Sequence, residues 1–99
     1  MISYCLDTWC KVLDKLGFTN QDEFTKTGSD TNLLKYEKYG GTFVITVNIY
    51  FNYKTGDITY ILIKDDSRFE DTLFIPQEKF IERNLQLFRD IQLDSILNK

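Results

Sequence analysis

No histidine occurs in the 99 residues, and that single absence excludes most acid–base chemistry at neutral pH. Ser-His-Asp and Cys-His arrangements need an imidazole to carry the proton, so neither can form. Cysteine is scarce, with only Cys5 and Cys10. Five residues along a helix turn two side chains about 140° apart, whereas a disulfide needs converging Cβ vectors and Cα atoms ~4.4–6.8 Å apart. A C-x4-C pair without histidine is also a poor zinc site. Two reduced thiols, at least one buried, are therefore expected, with no metal and no cofactor. No run of Lys or Arg is present, and 12 basic residues against 15 acidic ones leave a net charge of −3. Phosphate-backbone binders draw affinity from a basic excess, so direct nucleic-acid binding is disfavoured. No apolar run approaches the ~20 residues of a membrane span, and Met1-Ile2-Ser3-Tyr4 lacks the basic and apolar regions of a signal peptide. A cytoplasmic protein is the expectation. Proline occurs once, but aromatics reach 15% and hydrophobic residues 42%, a composition that folds. The length suits one domain over residues 1–99.

The pattern that remains is legible in segments. Leu6, Trp9, Val12, Leu13 and Leu16 recur at helical spacing, with Asp7, Lys11, Asp14 and Lys15 on the opposite side. Ser3 can cap that helix, and Gly17 suits the left-handed residue after its end, with Phe18 folding back. Residues 19–32 are polar and read mainly as a loop anchored by Phe24, with a short turn or strand at Asp22–Lys26. From Leu33 the period becomes two. Leu34 and Tyr36 alternate with Lys35 and Glu37, Gly40-Gly41 supplies a turn, and Phe43, Ile45, Val47, Ile49 and Phe51 mark one face of the next strand. Thr46, Asn48, Tyr50 and Asn52 mark its other face. Lys54-Thr55-Gly56-Asp57 joins it to a third strand, Ile58 to Lys64. A type I turn with Gly56 in the left-handed bulge position sets Ile49 opposite Ile61 and Val47 opposite Ile63, whereas a plain two-residue turn would put Val47 opposite Lys64 and bury it. The bulged turn also sets Tyr50 opposite Tyr60. Residues 72–75 can add a short fourth strand, and one long helix follows Pro76 toward Leu97. Its apolar half holds Phe80, Ile81, Leu85, Leu87, Phe88, Ile91 and Ile96. Leu93 and Leu97 fall on the polar half, so the helix either breaks near Gln92 or touches something there. The fold class is α+β with two layers: a three- to four-stranded antiparallel meander and both helices on one sheet face.

Candidate chemistry is thin. Asp65/Asp66 and Glu70/Asp71 are paired carboxylates, but on a loop with Arg68 they read as a solvated turn rather than a hydrolytic cleft. The spacing also fails the calcium-loop pattern. Gly40-Gly41 and Gly56 lie between strands, not at the start of a helix, so neither is a phosphate cradle. Cys5, in a first helical turn, is a conceivable activated thiol and more simply a small packing residue. Tyr50 and Tyr60, with Tyr36 or Tyr39 and Tyr53 nearby, can line the sheet face away from the helices. Such a face fits a half-wet pleated surface, a protein interface, or stacking of single-stranded bases.

In size, in its Asn-, Lys-, Ile-, Tyr- and Phe-rich composition, and in its helix–sheet–helix order, the chain resembles the small accessory proteins of bacteriophages and mobile elements of AT-rich bacteria. Anti-CRISPR proteins and other counter-defence inhibitors belong to that group. The resemblance implies a non-enzymatic protein-binding module, an inhibitor of a host nuclease or defence complex. Its contacts would come from Asp65, Asp66, Glu70 and Asp71, which can mimic nucleic acid in a basic channel, and from Tyr50 and Tyr60. An immunity protein or antitoxin is one alternative. A homo-oligomeric structural subunit with a seam at Leu93 and Leu97 is another.

Overall fold

A computed structural model describes residues 4–21, 25–26, 30–40, 43–66 and 73–97, without the side chains of 25, 26 and 43. Helix α1 (Leu6–Lys15) leads, followed by strands β1 (Thr19–Asn20), β2 (Thr25–Lys26), β3 (Thr31–Gly40), β4 (Phe43–Asn52), β5 (Ile58–Asp65) and β6 (Leu73–Ile75). Helices α2 (Gln77–Arg83) and α3 (Leu85–Leu97) close the chain. The sheet is an antiparallel meander in the order β1-β3-β4-β5-β6, with β2 also on the outer edge of β3. The α+β architecture expected from the sequence is thus the one adopted, with the helices packed on each other and on one sheet face.

Helix α1 starts at Leu6, where its apolar spacing begins, and later than a Ser3 cap would set it. Cys5, with extended backbone (φ −75°, ψ 166°), holds the cap position, while Ser3 lies outside the described residues. Its end is as expected. Gly17 takes φ +89°, its N–H reaches Asp14 O at 3.1 Å, and the N–H of Phe18 reaches Leu13 O at 2.9 Å. Those two bonds satisfy carbonyls that the last turn leaves open, and Phe18 turns inward to meet Phe80 at 6.4 Å.

The loop expectation is corrected at Thr19–Asn20, while the short strand allowed at Asp22–Lys26 forms at Thr25–Lys26. Two short strands form there, because the outer edge of β3 offers unpaired backbone groups to Thr19–Asn20 and Thr25–Lys26. Phe24 lies outside the described residues. Strands β3 and β4 pair along their whole length, from Thr31 opposite Asn52 to Gly40 opposite Phe43, leaving the turn itself and Gly41 outside the described residues. The β4–β5 register matches expectation: Val47–Ile63, Ile49–Ile61 and Tyr50–Tyr60. Gly56 takes the expected left-handed φ of +79°, but the bulge is not at Gly56: the register shifts at Tyr50/Phe51, where Thr59 is the extra residue. The Asn52 side chain secures the turn by accepting from the N–H groups of Lys54 (2.8 Å) and Thr55 (3.2 Å).

The C-terminal helix is the second correction. It is two helices, divided at Asn84 rather than near Gln92. Asn84 has φ −125° and ψ 24°, and its Nδ2 donates to Phe80 O at 2.9 Å. Asparagine competes for backbone acceptors in this way, which is why it ends helices. The break resets the phase, so α3 buries Phe88 and half-buries Ile91 and Ser95, while Ile96 turns to solvent.

The core lies between the helices and the inward residues of β3, β4 and β5. Trp9, wholly buried, stacks on Phe80 (5.6 Å, 20°) and meets Phe88 edge-on (4.8 Å, 75°). Val47, Ile49 and Ile63 form the floor beneath them. Truncating a fully buried tryptophan of this kind to alanine costs about 3–5 kcal/mol. No helix of the described residues is long and apolar enough to cross a membrane.

Candidate functional site

Side-chain alternation divides the sheet into two unlike faces. Inward, the pairing registers align Tyr36-Val47-Ile63-Ile75 and Leu34-Ile49-Ile61. Outward, they align Leu33-Tyr50-Tyr60, Lys35-Asn48-Leu62 and Glu37-Thr46-Lys64-Phe74. All three helices lie on the inward side, so no described helix covers the second face. Tyr60 (57% exposed), Phe74 (63%) and Tyr39 (66%) are open there.

Tyr50 and Tyr60 stand together as expected, with ring centroids 6.0 Å apart and tilted at 44°. Tyr36 does not join them. It is buried on the inward face, where its hydroxyl bonds Cys10 and Asn20, and burial together with the thiol pushes its pKa up. Tyr39 takes the outward place, bonded to the Glu37 carboxylate. Tyr53 sits in the hairpin turn and is also exposed. Glu37 is held by two neighbours, Tyr39 and Lys35 (3.1 Å), and these bonds lower its pKa. Lys64, across Thr46, makes no ion pair with a described residue.

Asn48 is the residue that sequence reasoning passed over. It stands at the middle of the outward face, 7% exposed between Lys35 and Leu62, and its Oδ1 has no hydrogen-bond partner among the described residues. Buried side-chain acceptors are nearly always paired. Its signal in the sequence was an amide in the central position of an otherwise regular strand, β4, but a single asparagine on an outward position carries no mark of burial.

The expected acidic surface is divided. Asp65 is the last residue of β5 and pairs with Ile45 and Leu73, on inward register positions. Asp66 follows, exposed, with its N–H on Val44 O at 2.9 Å. Glu70 and Asp71 lie outside the described residues. Leu93 (55% exposed) and Leu97 (71%), with Ile96, form a small apolar stripe on α3, far smaller than the sheet face.

A cavity of about 720 Å³ lies between the α1 start, the β5 start and α3. Its lining includes Cys5, Thr8, Thr59, Gln77, Gln92 and Ser95. The Cys5 Sγ lies 3.3 Å from Thr8 Oγ1, a hydrogen bond that lowers the thiol pKa, while burial raises that of Cys10. Among the described residues, no three His, Cys, Asp or Glu side chains gather to hold a metal ion. Asp57 also lines this cleft, so a carboxylate shares it with the Cys5 thiol. No protein-family model, curated protein sequence or solved structure matches the chain.

Proposed function

We propose that this chain is a non-enzymatic protein-binding module that works through its helix-free sheet face. The supporting observation is the outward face itself: it carries open aromatics at Tyr39, Tyr60 and Phe74, and no described helix covers it. Tyrosine and phenylalanine are enriched where proteins meet. The composition adds support, since a chain without histidine lacks the usual proton carrier. Base stacking is the weaker reading for the same surface. It would want several cations along the face, and of the two lysines on its rows, Lys35 is already paired with Glu37.

An inhibitory role against a host nuclease or defence complex is the use we propose for this face, from the resemblance to phage accessory proteins. Asp66, exposed beside Val44 at the end of the face, would contribute the acidic contact. A photo-cross-linking residue at position 60, compared with one at position 82 on the outer side of α2, tests the docking surface in the source cell or its host. The expected result is a discrete cross-linked protein species at 60 and none at 82. Equal labelling at both positions, or none at either, would remove the sheet face from consideration. Purified turnover of any substrate lost on Cys5→Ser would overturn the non-enzymatic reading.

A further inference from the structure

Face-to-face contact of two copies of this sheet satisfies what one copy leaves open. On the outward face, β4 is the central strand, with β3 and β5 as its neighbours. A twofold axis running along β4 exchanges the β3 side of one copy with the β5 side of the other. Glu37 of one copy then lies over Lys64 of the second, because both stand in the row of Thr46, one strand to either side. Leu33 comes over Tyr60, Tyr50 over Tyr50, and Asn48 over Asn48. The alternative axis, across the strands, would set Lys35 against its own equivalent, a like-charge contact without compensation.

We propose that the outward sheet face is the interface of a twofold homodimer, in which Glu37 pairs with Lys64 across the axis. This rests on the reading of that face as a protein-docking surface, and it names the occupant as a second copy of this chain. Two observations carry it. Lys64 has no ion-pair partner among the described residues, and the pairing registers put it in the row of Glu37, where the axis along β4 brings opposite charges together. Aligned stacking of two twisted sheets about 10 Å apart is a common packing mode.

The size of the contact sets its strength. Four strands ~4.8 Å apart and eight residues at ~3.4 Å each cover roughly 450 Å² per copy. Over both copies that is about 900 Å², below the roughly 1,000 Å² of a stable specific interface, so the dimer is a weak one that dissociates on dilution and can be displaced by another protein that fits the face.

Sedimentation equilibrium over a wide concentration range is the test, on variants shown to be folded by circular dichroism. The wild-type chain is expected to pass from monomer to dimer. Glu37→Lys and Lys64→Glu are each expected to weaken the dimer about tenfold or more, since each sets like charges together. The combined E37K/K64E chain restores the opposite pairing and is expected to regain most of the lost affinity. Leu93→Lys with Leu97→Lys leaves the equilibrium unchanged. A wild-type chain that stays monomeric overturns the proposal, as does a dimer indifferent to both charge reversals or one broken only by the α3 substitutions. The broader docking reading fails separately: it falls if a cross-linker at position 60 captures neither a second copy nor any other protein. A cross-link to a different protein alongside a strictly monomeric chain removes only the dimer.

Discussion

Replacing Asn48 by valine is expected to make the isolated monomer more stable. The side chain is 7% exposed, and its Oδ1 loses water without gaining a donor among the described residues. Leaving a buried acceptor unsatisfied costs about 1–3 kcal/mol, and removing the polar group with a similar volume recovers much of that. Valine also suits the pleated surface better than asparagine. The neighbours Lys35 and Leu62 tolerate an apolar side chain, since the lysine stem packs along it while its charge remains in water. The net gain expected is about 1 kcal/mol, and a domain of this size shifts its Tm by about 4–8 °C per kcal/mol. Thermal melts followed by circular dichroism, run dilute so that association does not add to stability, would read the shift. Urea unfolding supplies the check: the midpoint should rise with the slope unchanged. A loss of stability of 1 kcal/mol or more would refute the reasoning, because it would mean the amide is satisfied in the folded monomer.

Other tests follow from local geometry. Gly17→Ala and Gly56→Ala should each cost about 1–2 kcal/mol in urea unfolding. Both residues have positive φ, and an added Cβ meets nothing closer than Lys38 Cε at 3.9 Å, so the penalty is conformational, not steric. Iodoacetamide should label Cys5 well before Cys10, read by peptide mass, because Cys5 is exposed with a lowered pKa and Cys10 is half-buried with a raised one. Thr8→Val removes the hydroxyl that lowers the Cys5 pKa and should slow its labelling at neutral pH. Tyr36 keeps its proton in the folded chain at pH values where an unfolded tyrosine, near pH 10, loses it. Its contribution to stability is therefore intact below about pH 10 and falls as pH rises beyond that, and Tyr36→Phe should flatten the fall in urea midpoints.

Elements whose pattern is set locally were legible in the sequence. The apolar spacing of Leu6 to Leu16, the left-handed glycine after it and the hairpin register all depend on neighbours within a few residues. The strand at 19–20 was not legible, because its cause is a distant edge on β3 rather than its own polar sequence. The division at Asn84 was hidden for a different reason. One asparagine inside a clean amphipathic pattern costs little in propensity, and only its side-chain bond to Phe80 O decides the break. Tyr36 and Tyr39 show the limit for the site. Both are tyrosines in the same strand, and parity relative to β4 sends one to the core and the other to solvent.

That parity gives the hairpin a larger part than its size suggests. Thr59 is the extra residue of the bulge, so Ile58 and Ile61 both face inward while Tyr60 faces outward between them. Without it, pairing in step from Phe51–Ile58 would carry Lys64 onto the inward row opposite Ile45, where its charge would be buried, and would set Ile63 on the outward row opposite Thr46. Burying the lysine is much the costlier arrangement, and left-handed Gly56 together with the Asn52 side chain stabilises the turn that avoids it. The placement that protects the core is the same one that sets Lys64 on the open face, in the same row as Glu37. A single local device thus fixes both the packing of the inward layer and the charge pattern of the outward one. This coupling explains how a surface without any sequence motif can still be specified to the level of individual side chains.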